Sequence, residues 1–175
     1  MIRPYLLAGA ALAALAAIPL AGAAEAADTY KLDPEHTNIV FATDHLGFAK
    51  LIGQFQEFDG SFTFDGSSVE GATVEVVVKT ASVDTDHEAR DKHLASPDFF
   101  NAQEFPEMTF KSTGVESSGD KTAKLTGELT LLGVTKPITL DVTFNKADAN
   151  PMDPNVFIAG FSASGTLKRS DFGMQ

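Results

Sequence analysis

Apolar side chains recur at every second position through most of the chain from Thr29 onward, and this period of two constrains the fold more than any other feature. A strand turns successive side chains to opposite faces, whereas a helix brings positions three and four apart onto one face. Ile39, Phe41 and Thr43 alternate with Val40, Ala42 and Asp44; Phe62 and Phe64 flank Thr63; Val74, Val76 and Val78 interleave with Glu75, Val77 and Lys79. Further on, Leu125, Gly127, Leu129 and Leu131, then Ile138, Leu140, Val142 and Phe144, then Phe157, Ala159, Phe161 and Ala163 repeat the pattern. Turn signals at Asp59-Gly60, Asp65-Gly66, Gly119-Asp120 and the stretch Asn150-Pro151-Met152-Asp153-Pro154 separate these runs. Short half-buried strands at this spacing predict an all-β sandwich or antiparallel barrel in one domain. The stretch from Asp84 to Leu94 breaks the period. Thr85 and Glu88 form a capping-box pattern there, and Glu88 and Lys92 stand four apart, which predicts a short surface helix near 85–95. Leu46 to Leu51 reads as a second irregular turn.

The first residues follow a different rule. Arg3 precedes an apolar Ala- and Leu-rich stretch from Leu6 to Leu20, and small residues end at Ala24-Glu25-Ala26. Charged, apolar, then cleavable is the order of a secretory signal peptide, so residues 1–26 are expected to be removed and 27–175 to form the working domain outside the cytoplasm, in the periplasm. The chain has no cysteine, so an exported domain of this kind relies on its hydrophobic core, and thiol redox chemistry and cysteine metal sites are excluded. Fourteen Phe against two Tyr and no Trp make that interior large and short of polar handles. A net charge of −11 argues against nucleic acid and anionic headgroup surfaces as partners, because phosphate repels an acidic surface.

Catalytic patterns are weak. Gly160-Phe161-Ser162-Ala163-Ser164 has Ser where a nucleophile elbow needs its second Gly, and it lies in an alternating strand, so Ser162 reads as a strand residue. Asp84, Asp86, His87, Asp91 and His93 cluster closely enough to raise a metal-dependent enzyme as the alternative. Positions six apart differ by roughly 240° around a helix, so His87 and His93 face different ways, and the paired-His spacing of a zinc protease helix is missing. A solvated helix with His93 or Leu94 packed on the barrel rim is the favoured reading. His36 and His45, nine residues apart on what reads as one strand, point to opposite faces. No phosphate-cradling glycine loop is present, and no cofactor is called for. The interior remains as the feature to explain. A barrel of about eight strands can be filled by its own side chains or can enclose one apolar ligand. The pattern alone favours the filled core, since an apolar strand face is usually just core.

Ordered blocks across the chain then carry a resemblance. Asp33-Pro34-Glu35-His36-Thr37, Asp44-His45-Leu46-Gly47-Phe48, Gly53-Gln54-Phe55 and Phe58-Asp59-Gly60 come first. Ser82-Val83-Asp84-Thr85, Arg90-Asp91-Lys92-His93-Leu94, Ser96-Pro97-Asp98-Phe99-Phe100, Phe105-Pro106 and the run Gly127 to Pro137 follow. In this order they resemble the YceI-like family. The resemblance implies a lipocalin-like antiparallel barrel of about eight strands, commonly dimeric, that holds a polyisoprenoid or similar amphiphile in an elongated channel. It tips the expectation from filled to hollow and makes the protein a non-catalytic carrier or store. An isoprenoid quinone, serving a membrane electron-transfer protein, is the other ligand considered. Phe41, Phe55, Phe62, Phe64, Val76, Phe110, Leu129, Leu140 and Phe161 are the candidate lining of the tail channel, although a one-residue register slip would turn any such set outward. His45, Asp84, Arg90 and His93 are the candidates for the polar head. Members of the family continue past the block at Lys168 to Met174 into a closing strand, whereas this sequence stops at Gln175. That predicts either an unpaired edge, which invites dimerisation, or a sequence cut short.

Overall fold

A computed structural model of the chain describes residues 27–66 and 68–174, so the signal-peptide reading of residues 1–26 falls outside the described residues. The strands are β1 (Asp28–Lys31), β2 (Ile39–His45), β3 (Ala49–Phe55), β4 (Phe58–Phe64), β5 (Val74–Lys79), β6 (Val83–Asp84), β7 (Glu107–Gly119), β8 (Thr122–Leu131), β9 (Val134–Asn150) and β10 (Asp153–Ser164). The helix α1 (Glu88–Ala95) lies between β6 and β7. Seven strands form one antiparallel sheet in the order β1-β4-β5-β7-β8-β9-β10, and β2-β3-β6 form a second. The larger sheet curls until its two edges approach. Tyr30 on β1 stands with its ring centre 6.5 Å from that of Phe157 on β10, while Phe62 and Phe64 on β4 meet Phe161 across the interior at 5.5 and 5.4 Å. The result is a nearly closed antiparallel barrel.

The alternation expected from sequence is clearest in β8, where Ala123, Leu125, Gly127, Leu129 and Leu131 are buried and the residues between them face out. Outward, Thr126 meets Thr139 at 3.2 Å and Thr130 meets Thr135 at 2.8 Å across the β8–β9 ladder. Register shifts between Ser112 and Gly114 on β7, and between Gly160 and Phe161 on β10, add the local bends that a curled sheet requires. Core residues concentrate at the α1 end. Phe55, Val78, Val83, Phe100, Leu129, Leu131, Phe172 and Met174 form one buried cluster, with Leu94 of α1 packed against it.

Three local expectations are corrected. Of Leu46 to Leu51, only Leu46, Gly47 and Phe48 form a hairpin connection, and Ala49 to Leu51 already belong to β3: Phe48 N–H donates to His45 C=O at 3.0 Å, and Leu46 and Gly47 both have positive φ, 56° and 79°. Asp59-Gly60 is not a turn but the middle of β4, paired with Val77 and Val76. A Cβ on Gly60 would lie 2.6 Å from the Glu75 carbonyl oxygen, so glycine serves close approach there. His36 and His45 do not share a strand: His36 lies in the turn before β2, whose last residue is His45.

Candidate ligand-binding interior

All nine candidate lining residues lie on the inner face. Phe41 and Phe55 meet Phe100 edge-on at 6.3 and 5.3 Å and each other at 5.7 Å, and Val76, Phe110 and Leu129 stand in register across β5, β7 and β8. Phe62, Phe64 and Phe161 form a second cluster toward the end of the barrel away from α1, and Leu140 sits opposite buried Leu125. Sequence reasoning missed three members of that second cluster: Tyr30, Phe144 and Phe157. Phe144 was visible as the next step of the Ile138-Leu140-Val142 alternation. Phe157 and Tyr30 become neighbours only when the sheet closes.

Burial separates filling from lining. Phe55 and Phe64 are 5% and 3% exposed, as plugs of a core should be. Phe41, Phe62, Val76, Phe110, Leu140, Phe144 and Phe161 also point inward yet stay only half-buried. Inward apolar faces left partly uncovered are the surface an apolar guest would cover, and each methylene withdrawn from water there is worth about 0.8 kcal/mol. Two rings are seated by glycines. The Phe41 Cζ lies 2.4 Å from where a Cβ would stand on Gly53, and the Phe110 Cζ 2.4 Å from the same point on Gly127. Each ring reaches over a neighbouring strand only because no side chain occupies that spot.

The four polar candidates are not brought together. His45 ends β2 at the far end, while Asp84, Arg90 and His93 stand around α1. Asp84 accepts from Asp86 N–H at 3.0 Å and from the Gln56 amide at 2.7 Å, and these two bonds hold its carboxyl below the usual carboxylate range. Arg90 is tied to Thr85, donating from Nε to the hydroxyl at 2.7 Å and from Nη2 to the carbonyl at 2.6 Å. Thr85 in turn donates its hydroxyl and its N–H to Asp91. The expected Thr85–Glu88 capping box is therefore not formed, because the Thr85 hydroxyl is held by Arg90 and Asp91. His87 caps α1 instead, its ring Nδ1 accepting from Arg90 N–H at 3.2 Å. His93 pairs with Asp98 at 2.9 Å and lines a surface groove with Phe99, Phe105, Leu132, Phe172 and Met174. Among the described residues, no group of three or more His, Cys, Asp or Glu is placed to hold a metal ion. Ser162 lies in β10 with its hydroxyl accepting from the Asn145 amide at 3.0 Å, as a strand residue would.

The family model of the YceI-like domain matches residues 30–175. The chain belongs to the YceI-like family. A UPF0312 protein of Pseudomonas aeruginosa (strain LESB58) is 48% identical over 168 residues, covering 95% of this chain and 86% of that protein. Another, from Pseudomonas putida (strain W619), is 45% identical over the same shares. The crystal structure of the Campylobacter jejuni YCEI protein superposes with a TM-score of 0.68 at 37% identity, covering 82% of this chain and 83% of that one. The YceI-like blocks fall on places where the backbone needs a side chain to hold it. In the first, Asp33 accepts from Glu35 N–H at 2.9 Å and pairs with His36 at 2.7 Å, which raises the imidazole above its usual pKa and lowers the carboxyl. In the second, Asp44 accepts from Gly47 N–H at 2.5 Å and from Lys50 at 3.1 Å, closing the β2–β3 turn and holding its carboxyl low. Phe105-Pro106 supplies two carbonyls to buried Thr80, the Phe105 oxygen accepting from its hydroxyl at 2.7 Å and the Pro106 oxygen from its N–H at 3.0 Å. These blocks of the chain thus hold turns and the α1 region in place, and those at Gly53–Phe55, Phe58–Gly60 and Gly127–Pro137 run through β3, β4, β8 and the start of β9.

Proposed function

We propose that this protein holds a polyisoprenoid or a similar long-chain amphiphilic lipid inside its barrel, as a non-catalytic carrier or store in the periplasm. The observation that carries the reading is the set of inward aromatic and aliphatic side chains that remain half-buried. They present a largely apolar wall suited to a long hydrocarbon tail. The family resemblance and the signal-peptide pattern of residues 1–26 support the ligand class and the location. Phe41, Phe62, Val76, Phe110, Leu140 and Phe161 form the tail wall in this reading, with Phe55, Phe64 and Leu129 packed behind it as core. The head group lies at one end, against His45 or against Asp84, Arg90 and His93.

Native purification without detergent, followed by lipid mass spectrometry, is the test. A co-purifying prenyl lipid is expected, and its identity separates a polyprenyl chain from an isoprenoid quinone. Phe161→Glu places a charge on the wall and should abolish binding of a fluorescent prenyl probe, while Phe161→Leu, apolar and foldable, should keep it. Absence of any bound lipid together with no binding of the probe would overturn the reading. Light scattering on the same preparation tests the dimer that the resemblance implies.

A further inference from the structure

Strand directions carry one set of connections away from α1. These are the β2–β3 turn at Leu46–Gly47, the β4–β5 connection, the β7–β8 turn after Gly119 and the β9–β10 turn at Pro151–Met152. The aromatic cluster of Phe62, Phe64, Phe144 and Phe161 lies toward this same end. Two of these turns present large apolar side chains to solvent: Leu46 is 81% exposed, Phe48 88% and Met152 92%. A matched turn inside the same molecule shows that this is not a by-product of local geometry. Leu132-Gly133, between β8 and β9, adopts the same pair of positive φ angles, 52° and 72°, but there Leu132 packs against the core cluster. One Leu-Gly turn is tucked in at the α1 end, and its counterpart is held out at the other.

The charge of the exposed end narrows what it can meet. Lys50 is paired with Asp44 and Lys146 with Asp148, and the intervening turns add Glu70, Asp120 and Asp153 against Lys121. Apolar tips on a net acidic rim suit an uncharged interface and repel an anionic one. We propose that this end docks on the zwitterionic surface of a lipid bilayer, with Leu46, Phe48 and Met152 entering the interface. Lipid then passes between the membrane and the aromatic interior without crossing water. The inference rests on the lipid-carrier reading and names where that carrier loads. Three side chains anchor weakly and reversibly, as a shuttle requires, since even a single myristoyl chain gives only marginal attachment.

The absence of Trp makes the test clean. Phe48→Trp should shift its emission to the blue on mixing with phosphatidylcholine vesicles and be quenched by bromine-labelled acyl chains, whereas Ala89→Trp, on the exposed face of α1, should do neither. In co-sedimentation, the Leu46→Asn, Phe48→Ser double variant should lower the vesicle-bound fraction by at least about tenfold. Asn suits the left-handed position of Leu46, so this variant should fold at least as well as the parent. Replacing part of the phosphatidylcholine by phosphatidylglycerol should weaken binding at low salt. An unshifted Phe48→Trp, an equal response from Ala89→Trp, or tighter binding to the anionic vesicles would each overturn the proposal. Loss of self-association in the double variant without any vesicle effect would overturn it in favour of a protein contact. Uptake of a soluble prenyl probe is read separately: if the probe binds and the vesicles do not, docking fails alone, and if the probe does not bind, the carrier reading fails with it.

Discussion

Gly53→Ala tests whether the inner wall is seated by its glycines. Phe41 faces Gly53 across the β2–β3 ladder, and a Cβ added at Gly53 would lie 2.4 Å from the ring Cζ, 2.7 Å from Cε1 and 2.8 Å from Thr85 Cγ2. Carbon atoms in contact settle at about 3.5–4.0 Å, so the ring must withdraw by about 1 Å. Thr85 has little room to yield, because its hydroxyl is held by Arg90 and Asp91. Replacing Gly by Ala at a strand position open to a side chain would stabilise slightly through the unfolded state. A loss therefore reports the clash. Overpacking of this size costs about 1–3 kcal/mol, which for a domain of this length lowers Tm by roughly 3–10 °C. Urea denaturation of four proteins, the parent, Gly53→Ala, Phe41→Leu and the double variant, isolates the cause. Since the nearest clash is with the far end of a side chain, Phe41→Leu should return about 1 kcal/mol of the Gly53→Ala loss. Gly127→Ala supplies the contrast. There a Cβ would lie 2.4 Å from Phe110 Cζ but also 2.6 Å from the Lys111 carbonyl oxygen, which no side-chain change removes. Phe110→Leu should leave most of that loss in place. Strict additivity at Gly53, or full rescue at Gly127, would refute the reasoning.

Three further outcomes follow from the contacts around the barrel. Thr85→Val removes the hydroxyl that joins Arg90 to Asp91 and should cost about 2–3 kcal/mol, with faster amide exchange confined first to α1, whereas Thr85→Ser should retain most of the stability. His36 should titrate above its usual value of about 6.5 by NMR and return to it in Asp33→Asn. The sign follows from the shifts: the raised His36 contributes stability below the unfolded imidazole pKa and loses it as pH rises through the folded one, while the lowered Asp33 contributes above the unfolded carboxylate pKa and loses it as pH falls through the folded one. The cross-strand pairs Lys79–Glu107, Lys111–Glu75 and Lys124–Asp141 are exposed, so neutralising any one of them should leave the urea midpoint almost unchanged, and high salt should erase what difference there is.

How far the fold could be read in advance depended on whether each face of a strand kept to one chemistry. β8, and β9 between Ile138 and Phe144, alternate cleanly and were legible residue by residue. In β3 the inward series is Leu51, Gly53 and Phe55, and the outward series contains Ile52. A glycine on the inner face and an exposed isoleucine on the outer one cancel the contrast, and the start of the strand, Ala49 to Leu51, read as part of a turn. Asp59-Gly60 misled for a related reason: the glycine answers to Leu32 and Glu75 on neighbouring strands, contacts that local sequence does not carry. Thr85 was recognised as a hydrogen-bonding residue beside the helix, but its partner proved to be the Asp91 side chain rather than the helix backbone. Seven of the nine inward candidates were legible because inwardness follows from alternation, whereas Phe55 and Phe110 lie outside the alternating series. The meeting of Tyr30 with Phe157 was not, because it follows from closure.

The two ends of the barrel divide the work, and that division bears on how a guest would be selected. Around α1, the polar groups that sequence suggested for a head group already have partners: Arg90 holds Thr85, Asp84 holds Gln56 and Asp86, and His93 holds Asp98. Recruiting any of them to a ligand means breaking a bond already made, which offsets part of what the new contact gains. Toward the other end, the inner wall offers aromatic rings and, at the rim, His45. A head group held there gains few directed contacts, so discrimination falls to the tail. At about 0.8 kcal/mol for each methylene covered, a five-carbon isoprene unit more or less changes affinity by several kcal/mol while the wall is being filled, and by almost nothing once the guest projects beyond it. Affinity plotted against the number of isoprene units should therefore rise steeply and then level off at the length of the wall. Phe161→Ala, by widening the wall without shortening it, should lower the slope and leave the break where it was. A break that moves with that substitution would mean that girth, not length, sets the limit.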